Sequence, residues 1–86
     1  VPQRTVSVTS EVGLHARPAA TFVQTAAKAP YDVTIAKAGG SPVSAKSILS
    51  VLALDVRQGE SIVISAEGDG AEELLDELAQ IAAAAS

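Results

Sequence analysis

At 86 residues the chain has room for a single domain, residues 1–86, and for no second core. Six basic against ten acidic side chains give a formal net charge of −4, which argues against a general binder of nucleic acid or of anionic membrane, since both need a basic footprint. The absence of cysteine excludes disulfides and thiolate metal sites, and no apolar run approaches the roughly 20 residues needed to span a bilayer.

No signal-peptide pattern opens the chain, so the expected setting is the cytoplasm, without membrane insertion. The missing initiator methionine fits either processing or excision from a longer chain. Phe22 and Tyr31 are the only aromatic residues, which leaves Val, Ile, Leu and Ala to build the core.

Residues 4–9 alternate, with Val6 and Val8 on one face and Thr5, Ser7 and Thr9 on the other, the period of a half-buried strand. From Ala16 the period changes. Ala16, Ala19, Ala20, Val23, Ala26 and Ala27 fall three and four apart, one stripe of a helix from about residue 16 to about 28. Pro18 is tolerated in its first turn, where the missing N–H has no intrahelical partner to lose, and Pro30 ends the segment.

Tyr31, Val33 and Ile35 then alternate with Asp32, Thr34 and Ala36 as a second strand. Gly39-Gly40 reads as a hairpin turn, because paired glycines accept positive φ. The short strand expected over residues 41–44 contains Pro42, which suits an edge. Residues 47–54 form a short helix, Gln58-Gly59 a turn, and Ile62, Ile64 and Ala66 the buried side of a fourth strand.

Asp69 followed by Glu72 has the spacing of a capping box. Behind it Ala71, Leu74, Leu75, Leu78, Ala79 and Ala82 make the apolar stripe of a last helix, with Glu72, Glu73, Asp76 and Glu77 on its solvated side. The order βαββαβα with short connections predicts an α+β fold, an open-faced two-layer sandwich of a four-stranded antiparallel sheet with three helices on one face.

The sole histidine sits in Gly13-Leu14-His15-Ala16-Arg17-Pro18-Ala19. A ring just ahead of a helix start faces unpaired N–H groups and the positive end of the helix dipole. That field disfavours imidazolium and welcomes an anion such as phosphate. Arg17 adds a guanidinium suited to paired hydrogen bonds with phosphate oxygens. A nucleophilic nitrogen, an anion cradle and a charge clamp thus share one segment, whereas the plainer alternative is a surface histidine beside a solvated arginine. One histidine fills no metal coordination sphere, and no nucleophile or carboxylate set accompanies it for hydrolysis. Neither a metal nor a cofactor is expected.

This segment resembles the active-site signature of the HPr family, the histidine phosphocarriers of the bacterial phosphoenolpyruvate-dependent sugar phosphotransferase system. Ser44-Ala45-Lys46-Ser47-Ile48-Leu49 resembles the family's second signature, and Gln58-Gly59 through Ile64-Ser65-Ala66-Glu67-Gly68 its last strand and turn. The resemblance implies a carrier rather than an enzyme. His15 would accept a phosphoryl group on Nδ1 from phosphoenolpyruvate-charged enzyme I and pass it to sugar-specific EIIA domains, with Arg17 stabilising it.

Ser47 matches the serine that a dedicated kinase phosphorylates in many Gram-positive relatives. The residues matching Ile48, Leu49 and Leu52, with Ala20 and Lys46 beside them, would dock partners, and the carrier would act as a monomer. Two positions depart from the family pattern. Val12 stands where a small polar residue is common, and Asp55 where glycine is common, although aspartate tolerates left-handed backbone better than most residues. A regulatory domain without phosphotransfer would be expected to have lost His15. The choice between a general sugar carrier and a specialised branch stays open.

Overall fold

Strand alternation in this chain produces a sheet with two unlike faces. The computed structural model describes residues 2–8 and 16–84. The elements run β1 (Gln3–Ser7), α1 (Ala16–Ala26), β2 (Val33–Lys37), β3 (Val43–Ser44), α2 (Ile48–Ala53), β4 (Ser61–Ala66) and α3 (Ala71–Ala84). The strands form one antiparallel sheet in the order β1-β4-β2-β3, so the two-residue β3 that follows Pro42 lies at an edge.

Register explains the division of faces. Val6 is paired with Ile62, and Ile64 with both Arg4 and Ile35, which places the branched apolar side chains on the side covered by helices. Gln3, Ser65, Thr34 and Ser44 line up across the opposite side, as do Thr5, Val63 and Ala36. This second face carries no helix and bears small, mostly hydroxylated residues.

The helices complete the core. On α3, Ala71, Leu75, Leu78 and Ala82 are buried as the stripe predicts, and the helix packs on β1, β4 and α1. Arg4, on the helix side of β1, reaches Asp76 at 2.9 Å and Glu72 at 3.5 Å, so part of the acidic face of α3 is tied to the sheet.

The Asp69–Glu72 capping box does not form. Gly70, with φ +79°, occupies the position before Ala71, and its carbonyl accepts the first helical bond, from Leu74. The helix therefore starts one residue too late for the box, which needs the cap residue and the carboxylate three apart.

The first helix also differs in detail from its expected stripe. Its buried line runs through Ala19, Phe22 and Ala26, while Ala27 is exposed and lies in the turn that closes the helix. Phe22, the larger of the buried side chains on this helix, turns that line toward the core. The second strand begins at Val33 instead of Tyr31, and Tyr31 packs at the margin of the core.

Candidate functional site

Two helices carry the residues singled out above. The backbone of α1 begins at Ala16, so Arg17 is its second residue and Pro18 its third. His15, with Val12 and Gly13, lies outside the described residues. Ala20, one turn further along, is half-buried.

The second helix is built on a well-tied junction. Ala45 donates its N–H to Val33 O at 2.8 Å and is fully buried, while the N–H of Lys46 is bonded to Ser44 Oγ at 3.2 Å. Ser47 then caps α2. Its backbone is extended, its carbonyl accepts from Val51 N at 3.0 Å, and its Oγ accepts from Ser50 N at 3.3 Å. A serine here satisfies a donor that the helix leaves unpaired, so local sequence suffices to start the helix.

The apolar residues of α2 divide sharply. Val51 is buried and Leu54 and Ile48 pack against the core. Leu49 is 77% exposed and Leu52 36%, the exposed large hydrophobic residues among those described. Lys46 takes a different course from a free surface charge, because its Nζ donates to the carbonyl of Ala29, beyond the end of α1, at 2.8 Å.

Asp55 follows the helix with φ +52° and donates its N–H to Leu52 O at 3.1 Å. The left-handed conformation that glycine would take without cost is held here by aspartate. Its Oδ2 accepts from Arg57 Nε at 3.2 Å and from the terminal guanidinium nitrogen at 2.9 Å. This bond and the neighbouring guanidinium charge hold the Asp55 carboxyl below its ordinary range.

The next turn fixes the end of β1. Gly59, at φ +85°, donates to Val8 O at 2.8 Å, and Val8 donates to Glu60 O at 2.9 Å. The Glu60 carboxylate accepts from Arg57 N at 2.8 Å and pairs with Lys37 at 3.2 Å. Both interactions, the backbone bond first, lower its pKa. Asp55 and Glu60 thus anchor the turn between α2 and β4. The one visible sequence signal for this is the Asp55–Arg57–Glu60 spacing around a glycine turn.

Other features place limits on the chemistry. A recess of about 270 Å³ lies on the helix-free face, lined by Gln3, Thr34, Val63 and Ser65 and the Gly39-Gly40 turn, and none of the singled-out residues lines it. Among the described residues no group of three or more His, Cys, Asp or Glu side chains could hold a metal, and no helix is long and apolar enough to cross a membrane.

Comparison with known proteins identifies the family. The family profile for the PTS HPr component phosphorylation site matches residues 2–84. The phosphocarrier protein HPr of Streptomyces coelicolor is 49% identical over 81 residues, covering 94% of this chain and 87% of that protein. That of Haloferax volcanii is 49% identical over 80 residues, covering 92% and 90%. The crystal structure of HPr from Bacillus anthracis superposes with a TM-score of 0.85 at 43% identity, covering 94% of this chain and 95% of that one. The shared fold and the match over nearly the whole chain lead to one conclusion: the chain belongs to the HPr family and is a phosphocarrier of the sugar phosphotransferase system, not a catalytic enzyme.

Proposed function

We propose that His15 is the residue that carries the phosphoryl group, taking it on Nδ1 from phosphoenolpyruvate-charged enzyme I and giving it to EIIA domains in the cytoplasm. The observation that carries this reading is the start of α1 at Ala16, immediately after the only histidine of a chain matched over residues 2–84 by the phosphocarrier family. The first N–H groups of a helix have no partner within it, and together with the dipole they favour a bound anion. The same field favours the neutral ring, whose free nitrogen lone pair attacks phosphorus.

On acceptance the bond from the donor to phosphorus breaks as the Nδ1–P bond forms; on delivery the Nδ1–P bond breaks as phosphorus bonds to the EIIA acceptor, and His15 returns to its starting state. Arg17, second in the helix, offers two parallel N–H donors to the phosphoryl oxygens. Ala20, Ile48, Leu49 and Leu52 form the apolar surface on which partners seat. The exposure of Leu49, with Leu52 partly exposed beside it, supports this, since apolar side chains left uncovered next to each other are available for contact. Ser47 is the site at which a serine kinase would control that contact.

Incubation with purified enzyme I and labelled phosphoenolpyruvate tests the reading. The parent takes up acid-labile, base-stable label, as a phosphoramidate does, and folded His15→Ala takes up none. Label on His15→Ala would sink the assignment.

A further inference from the structure

We infer that Lys46 is a positioning residue for partner docking: its ammonium ties the end of α1 to the start of α2 and so sets how the two halves of the docking surface lie against each other. The inference rests on the docking reading above and assigns Lys46 a place inside the carrier instead of on the partner.

The geometry at both ends of the link is restrictive. After Ala26 the chain tightens, with Lys28 N donating to Thr25 O at 3.2 Å and Ala29 N to Ala26 O at 3.1 Å. This turn presents the carbonyl of Ala29 past the negative end of the helix, where a cation is favourable. No basic residue falls within the last turn of α1 itself. Lys46 supplies the charge from 17 residues away, at 2.8 Å and partly shielded from solvent.

Its own backbone has little freedom. Ala45 before it is buried and bonded to β2, and Ser47 after it caps α2. A lysine held on both flanks and bonded at its tip fixes the distance between the two helices, which pack on each other. Ala20 projects from one helix and Leu49 and Leu52 from the other, so a partner that touches both reads that distance.

Lys46→Met keeps the aliphatic stem and removes the donor. Its KM for phosphorylated enzyme I should rise roughly threefold to tenfold, the scale of part of a charge-assisted hydrogen bond, with kcat unchanged. Lys46→Arg should restore the parent value. The rise should persist in about 1 M salt, where the Debye length of about 3 Å removes long-range attraction between exposed charges. A penalty abolished by salt would show that Lys46 meets a partner's charge directly and would overturn the inference, as would a lower melting temperature with KM unchanged. Leu49→Glu, run in parallel, reports on docking alone. If it raises KM while Lys46→Met does not, the docking surface stands and the positioning role falls. If neither raises it, both fall.

Discussion

The ring of Tyr31 packs so closely on the backbone of Gly68 that a Cβ at this glycine would lie 2.8 Å from both Cε2 and Cγ of the ring. The contact joins the entry to β2 with the turn that leaves β4 and fastens the connection into α3. Tyr31 is one of the two aromatic residues in the chain and packs at the margin of the core, so the ring has little room to yield. Gly68→Ala should cost about 1–3 kcal/mol, in the range for overpacking. Thermal unfolding checks it, at roughly 4–8 °C per kcal/mol for a domain of this size. A melting temperature equal to the parent's would mean that the ring swings away freely.

Asp55 combines a left-handed backbone with a carboxylate bonded to Arg57. Asp55→Gly should fold with a stability near the parent's, because glycine takes this φ without strain, whereas Asp55→Val should melt clearly lower. The pH dependence has a definite sign. The folded carboxyl titrates below its unfolded value, so its contribution is present above the unfolded pKa of about 4 and is lost as pH falls through the depressed value. Arg57→Ala should return the Asp55 titration, followed by NMR, to the ordinary carboxylate range. Both groups are exposed, so added salt should weaken the effect.

Ser47 separates two roles by substitution. Ser47→Ala removes the acceptor for Ser50 N and should cost about 1 kcal/mol while phosphoryl transfer proceeds normally. Ser47→Asp should remain folded, since a carboxylate suits the start of a helix. It also sets a negative charge next to Ile48 and Leu49, and transfer from enzyme I should slow mainly through weaker binding. Equal transfer rates for Ser47→Asp and the parent would leave Ser47 as a cap alone.

Arg17 should matter to rate and not to folding. Arg17→Ala should slow acceptance of phosphate by roughly a hundredfold, the lower end of the scale seen when one donor to developing charge is lost, with the melting temperature near that of the parent. Rapid-quench transfer alongside a thermal scan separates the two. An unchanged rate would make Arg17 a solvated surface residue.

For β4 and α3 the sequence by itself determined which residues share a face. Period-two alternation assigned Ile62, Ile64 and Ala66 to one side of β4, and the three-four spacing assigned Leu75 and Leu78 to the stripe of α3. These are consequences of backbone geometry, which repeats locally whatever the rest of the chain does. The start of α1 at Ala16 and the Ser47 cap were legible for the same reason, and the proposal for His15 and Arg17 draws on residues that are neighbours in the chain.

Tertiary structure decided what each face meets. The spacing of α2 offers two apolar arcs, and only packing shows that Val51 is covered and Leu49 bare. The spacing of Asp69 and Glu72 suggests a cap, yet Glu72 turns to Arg4, 68 residues away in sequence. Lys46 has the composition of a surface charge and the geometry of an internal tie to Ala29. Long charged side chains take their partners from whatever the fold brings within reach, and that distance is set by the packing of helices on the sheet, which no local pattern contains.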